Sequence, residues 1–228
     1  MAGRLHARLG NWGTQMVFGR RSKQLLAYLV SPLTKVLVRK HWDPNTITVL
    51  GLLLNIAASV LFAFGRFLWG GVTVLVAGLC DLLDGEIARA ADHDTKFGAL
   101  LDSTLDRYSE IFIAFGLAVY FVRTGHLLTS AVLFFALAGS LMVSYVRARA
   151  EGLGEECMVG ILQRPERTVL IGVGAILGRS GVTAALWVIA LLANYTVLER
   201  LLHVRKTARP AKADASEYVV QPPNRPDQ

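Results

Sequence analysis

Four aspartates stand at the ends of two apolar stretches of the chain. Asp81 and Asp84 close the first, in Asp81-Leu82-Leu83-Asp84-Gly85-Glu86-Ile87-Ala88-Arg89, and Asp102 and Asp106 lie near the start of the second, in Gly98-Ala99-Leu100-Leu101-Asp102-Ser103-Thr104-Leu105-Asp106. Spacings of three and four put each pair on one helix face. Two such faces brought together make a four-carboxylate cluster, which is costly near lipid unless cations neutralise it. Hard divalent ions such as Mg2+ prefer all-oxygen ligands of this kind, so the spacing predicts a membrane-embedded carboxylate site for a divalent metal. Gly85, Ala88 and Gly98 are small enough to let helices approach and leave room for a ligand beside the metal. Arg89 adds a fork of donors suited to phosphate oxygens.

Two blander or different readings compete. A lone intramembrane aspartate can be a satisfied polar group, and an acidic pair at a helix start can simply favour the dipole; four at these spacings exceed what either needs. Intramembrane aspartates also mark the ion paths of cation or proton transporters, which place them near the midplane on broken helices. Here they bracket a short polar loop containing Arg89 and Lys96, which sets them near one membrane surface.

The elements that carry these residues follow from composition and periodicity. The chain has 228 residues, of which 53% are hydrophobic and only 18% charged, and its mean hydropathy is +0.44; these values belong to an all-α membrane protein. The net charge of +7 gathers beside the apolar runs and no nucleic-acid motif is visible, so the basic residues point to anionic lipid and not to nucleic acid. Cys80 and Cys157 make no disulfide framework and read as reduced thiols. Residues 1–22 are basic. From Lys23 to Trp42, Leu25, Leu26, Leu29, Leu33, Val36 and Leu37 recur at helical spacing among Lys23, Lys35, Arg39 and Lys40, the pattern of an amphipathic helix lying in the interface.

Asp43-Pro44-Asn45 ends that helix and caps the next. Six apolar runs follow, at about Thr46–Phe64, Leu68–Leu83, Ala99–Val122, Leu127–Tyr145, Arg167–Gly178 and Val182–Leu202, predicting six transmembrane helices. Lys and Arg concentrate in the N-terminal segment, at Arg89 with Lys96, Arg147 with Arg149, Arg164 with Arg167, and at Arg205, Lys206, Arg209 and Lys212; the opposite loops hold only Arg66, Arg123, His126 and Arg179. The positive-inside rule then places both termini and the carboxylates on the cytoplasmic side of a multi-pass protein in a prokaryotic-type cytoplasmic membrane. The expected organisation is a basic N-terminal segment over 1–42, a six-helix catalytic domain over 43–206 and a disordered Pro-, Ala- and charge-rich tail over 207–228.

The segment 81–106 reads Asp-x2-Asp-Gly-x2-Ala-Arg-x8-Gly-x3-Asp-x3-Asp without a departure, and it resembles the defining motif of the CDP-alcohol phosphotransferase family of membrane enzymes. The region 43–202 is also similar to that family's six-helix plan with an interfacial N-terminal helix. The resemblance implies transfer of a substituted phosphate from a CDP-linked donor to an alcohol with release of CMP. It implies a two-ion Mg2+ site (Mn2+ being possible) on Asp81, Asp84 and Asp102, with Asp106 completing the cluster and serving as general base. It also implies a nucleotide held around Asp84, Gly85, Ala88, Arg89 and Gly98, with Asn45 and Thr48 on the cytidine side, where they serve equally as helix caps. Homodimerisation is implied by the resemblance alone.

CDP-diacylglycerol is the expected donor, because a site opening sideways between helices suits a lipid tail. For the acceptor, Arg147 in Ser-Tyr-Val-Arg-Ala-Arg-Ala-Glu, Arg164 and Arg167 in Arg-Pro-Glu-Arg, and Arg200 near the end of the last run can converge beside the metals. Converging guanidinium groups hold a second phosphate, which predicts a phosphorylated alcohol; the alternative role of these arginines is topology and headgroup contact. Both runs resemble the family branch that uses inositol 1-phosphate, and glycerol 3-phosphate is the rival acceptor. The five histidines are scattered with none at metal spacing, and Tyr108 and Glu110 receive no role.

Overall fold

A computed structural model describes residues 42–90 and 95–207, together with Thr34 and Val36 as isolated helical positions, and omits the side chains of 88–90. Apart from Thr34, Val36 and Trp42, the interfacial helix expected over 23–42 lies outside the described residues, as does the tail expected beyond 207. Within them every element is helical: α1 (Pro44–Ala63), α2 (Phe67–Ala90), α3 (Lys96–Arg123), α4 (Leu127–Gly152), α5 (Arg164–Ile176) and α6 (Arg179–Thr207). There is no strand among them.

The starts and stops follow local chemistry. Asp43 caps α1 by accepting from the Asn45 amide at 2.9 Å, and Pro44 takes the first helical position, where its missing N–H costs nothing. Thr95 caps α3 through the Gly98 amide at 2.9 Å. The turns α1–α2, α3–α4 and α5–α6 are two or three residues long and each carries a glycine at positive φ: Gly65, Gly125 and Gly178. The amino ends of α1, α3 and α5 and the carboxyl ends of α2, α4 and α6 therefore share one end of the bundle.

The helices form a closed ring in the order α1, α2, α5, α6, α4, α3 and back to α1, each packed on the next. Ala58, Phe62, Val74, Leu117, Phe121, Val132, Val182, Leu186 and Ile189 fill the interior, while Leu53, Trp69, Phe115, Phe134, Phe135, Trp187 and Leu191 face outward. An apolar exterior on so apolar a chain is what lipid, and not water, requires. Small residues set the closest approaches: a Cβ on Gly116 of α3 would overlap the backbone of Ser59 on α1.

Four helices are long and apolar enough to cross a membrane: α1, α2 through Ile87, α4 and α6. The other two of the six expected spans fall short for separate reasons. The amino half of α3 carries Asp102, Asp106, Arg107 and Glu110, leaving 111–122 as its longest uncharged stretch. The 13 residues of α5 rise about 20 Å against a hydrocarbon core of about 30 Å.

Candidate functional site

Where α1, α2, α3 and α5 meet at the shared end lies a small cleft lined by Thr48 and Asn55 of α1, Asp81 and Asp84 of α2, Asp106 and Ser109 of α3, and Arg164 of α5. Asp81, Asp102 and Asp106 each turn one carboxylate oxygen into a group whose members all lie within 4.8 Å of one another. The i,i+4 spacing of Asp102 and Asp106 puts both on the face of α3 toward α2, as the sequence predicts.

Asp84 is buried against the same cleft but stands outside that group of three. Three residues advance a helix by about 300°, so Asp84 is rotated roughly 60° from Asp81, toward α1. Its Oδ2 and the Oδ1 of Asp102 are buried without any hydrogen-bond partner. Orphaned carboxylate oxygens beside a carboxylate cluster are a costly arrangement for a protein alone and a suitable one for a hard divalent cation. The donor set fits the metal that the sequence implies.

Among the described residues, the cation held against these carboxylates is Arg164. Its Nη1 donates to Asp81 Oδ1 and its Nη2 to Asp106 Oδ1, both at 2.6 Å, so one guanidinium bridges α2 and α3. Arg107 approaches Asp106 at 3.6 Å from the partly exposed side.

The other arginines expected to hold an acceptor phosphate are all buried or partly buried at the same end, with different partners. Arg167, 3% exposed, donates to Glu110 Oε1 at 2.6 Å and to the Leu162 carbonyl at 3.3 Å. Arg200, 2% exposed, donates through Nε to the Val159 carbonyl at 2.8 Å and through Nη1 to the Val143 carbonyl. Arg147 pairs with Glu151 one turn on, at 2.8 Å. The charges of Arg147 and Arg167 both act on Arg200, so these three gather, while Arg164 goes to the carboxylates. The connection 153–163 closes over Arg200 by way of Gly160, whose φ of 133° and lack of a Cβ let it pass Thr196.

Of the residues expected to hold the nucleotide, Asn45 and Gly98 come together across the α1–α3 start, the Asn45 Oδ1 lying 3.4 Å from where a Gly98 Cβ would stand. Thr48 donates to the Pro44 carbonyl at 3.1 Å and lines the cleft beside Asp84. Gly85 follows Asp84 within α2. The side chains of Ala88 and Arg89 lie outside the described residues. Sequence reasoning left out Asn55 and Ser109, whose buried polar side chains line the cleft; a polar residue inside an apolar helical run is the signal that could have found them. It also left Glu110 without a partner, and the structure supplies Arg167.

Comparison with known proteins agrees with this arrangement. The CDP-alcohol phosphatidyltransferase family matches residues 42–197. The chain is 36% identical to the phosphatidylinositol phosphate synthase of Mycobacteroides abscessus over 82% of its own length and 88% of that protein. It is 43% identical to the archaetidylinositol phosphate synthase of Methanothermobacter thermautotrophicus over 73% and 90% of the two chains. Crystal structures of Mycobacterium tuberculosis phosphatidylinositol phosphate synthase superpose with a TM-score of 0.70 for the form with CDP-DAG bound, covering 78% of this chain and 94% of that one, and 0.69 for the complex with manganese and citrate, covering 81% and 96%; both are 29% identical. With a family match spanning the cleft and all four aspartates, this chain is a transferase and belongs to the CDP-alcohol phosphatidyltransferase family.

Proposed function

We propose that the protein transfers a phosphatidyl group from CDP-diacylglycerol to a phosphorylated alcohol, inositol 1-phosphate, releasing CMP as a step of phospholipid biosynthesis. The observation that carries this reading is the group Asp81, Asp102 and Asp106, whose oxygens lie within 4.8 Å across two helices, in a chain of this family. The relatives' names include phosphatidylinositol phosphate synthase, which supports the acceptor.

Asp81, Asp84, Asp102 and Asp106 would hold Mg2+ or Mn2+ as a two-ion site, which supplies Lewis acidity to the pyrophosphate and offsets the charge of the departing CMP. Asn45, Thr48, Asp84, Gly85, Ala88, Arg89 and Gly98 form the donor side, with the small residues leaving room for the nucleotide. Arg147, Arg167 and Arg200 hold the acceptor phosphate as guanidinium forks, with Arg164 adjoining them from the carboxylate side. Asp106 takes the proton from the acceptor hydroxyl. That oxygen bonds to the phosphatidyl phosphorus as the bond from this phosphorus to the CMP oxygen breaks.

The positive-inside pattern supports six spans, α3 and α5 included, with the cleft and both termini cytoplasmic in a prokaryotic-type membrane. A 43–206 catalytic domain between an interfacial segment (1–42) and a tail (207–228), working as a homodimer, completes the reading. The test is to incubate purified protein with CDP-diacylglycerol, Mg2+ and a panel of acceptors, following CMP with and without EDTA. CMP release with inositol 1-phosphate that EDTA abolishes is expected. Release with free inositol or glycerol 3-phosphate instead would overturn the acceptor, and release after exhaustive chelation would overturn the metal.

A further inference from the structure

We infer that Arg164 is a built-in counter-ion of the carboxylate cluster, a positioning residue that divalent metal displaces on entry; this rests on the metal reading above. Three carboxylate oxygens within 4.8 Å repel one another strongly where water is scarce. The Arg164 guanidinium answers that repulsion by binding Asp81 and Asp106 at once, 2.6 Å from each. It thereby holds together two side chains from different helices that must act on the same ions.

The same contacts make it a competitor. A metal ion bonds carboxylate oxygens at about 2.1 Å, on the lone pairs that Arg164 now occupies, and two cations cannot share that space without like-charge repulsion. The bridge is also incomplete for the arginine, because its Nε is buried with no acceptor. A guanidinium turned from the carboxylates toward phosphate oxygens could satisfy the donors that this position leaves unused. The sequence places Arg164 three residues, about one turn, before Arg167, so the released side chain stays beside the arginine set. Metal loading and presentation of a phosphate-binding arginine thus become one event.

The test is Mn2+ binding to the purified full chain, by calorimetry or by the free-Mn2+ paramagnetic resonance signal. R164Q should bind Mn2+ roughly tenfold tighter or more, since charge-assisted hydrogen bonds need no longer be surrendered. R107Q, which removes the longer and partly exposed contact, should change affinity only about twofold. R164K keeps the charge but cannot bridge both aspartates, and should fall between wild type and R164Q. In the wild-type protein, Mg2+ should speed modification of Arg164 by phenylglyoxal relative to Arg200, read by peptide mass mapping, a readout that does not depend on a variant folding. Unchanged or weaker Mn2+ affinity in R164Q, or Arg164 labelling indifferent to Mg2+, overturns the inference. If wild type binds no Mn2+, the metal reading falls first and the inference with it.

Discussion

Glu110 of α3 and Arg167 of α5 are joined at 2.6 Å, one helical turn along from Asp106 and Arg164, which are themselves joined at 2.6 Å. The four positions are spaced i,i+4 on α3 and i,i+3 on α5, so the two ion pairs form a ladder between helices that are not neighbours in the ring. Long side chains, and not close backbones, fix the register of α5 against the carboxylate helix. An arginine buried to 3% exposure is tolerable there only because a carboxylate meets it.

Glu110→Ala should therefore lower stability by about 3–5 kcal/mol, the cost of stranding a buried charge, and Glu110→Gln, which keeps an acceptor oxygen, by less. Thermal unfolding in detergent reads both. Because Glu110 also aims Arg167, Glu110→Gln should raise the acceptor KM more than the donor KM. Equal rises in the two would mean that the ladder is structural only.

Asp106→Asn should keep the fold and lose CMP release by at least about 10^2-fold, the scale of general-base catalysis. Asparagine preserves shape and can still accept from Arg164, so unfolding does not confuse the result; a normal melting temperature with lost turnover is expected. Wild-type turnover would remove Asp106 as the base.

The sequence makes the carboxylates legible because helical spacing is a local property: the i,i+4 step alone puts Asp102 and Asp106 on one face of α3, and Asp81 and Asp84 stand at the end of one apolar run. The cap at Asp43 is legible for the same reason. Arg164 was not. Its place among the arginines of the sequence suggested a phosphate, yet packing of α5 beside α2 delivers it to Asp81 and Asp106, and no local periodicity encodes which helices become neighbours. The same holds for Arg200, whose partners are the carbonyls of Val143 and Val159, backbone groups that carry no sequence signature. Asp84, which faces α1 apart from the triple, shows how far a 60° rotation matters once a third helix decides where the cleft lies.

Cys157, in the connection between α4 and α5, has no exposed surface. Burial pushes its thiol up from the ordinary cysteine value, while the charges of Arg200 and Arg147 pull the other way. A raised thiol pKa keeps the reactive thiolate scarce at neutral pH and lets it grow only as pH rises beyond the ordinary cysteine range. Iodoacetamide at neutral pH should leave Cys157 unmodified in the folded protein and label it after denaturation. Rapid labelling of the native protein, read by peptide mass mapping, would show that 153–163 does not close over Arg200.

Arg147 and Arg200 divide burial between them and should divide their effects. Arg147 is partly exposed and held by a partner one turn away, a pair worth about 0.3–0.5 kcal/mol, so Arg147→Ala should leave the melting temperature nearly unchanged. Arg200→Ala strands two carbonyls in the interior at about 1–3 kcal/mol each, and its melting temperature should fall. If both guanidinium groups hold the acceptor phosphate, each variant should raise the acceptor KM roughly tenfold or more, from the loss of a charge-assisted contact of about 1.5–3 kcal/mol, with the KM for CDP-diacylglycerol unmoved. Arg200→Lys separates the two roles, since it keeps the charge but loses the fork that spans Val143 and Val159: stability should suffer while acceptor binding is partly restored. Steady-state kinetics with each substrate varied in turn decides it, and a matched rise in both KM values would place these arginines outside the acceptor pocket.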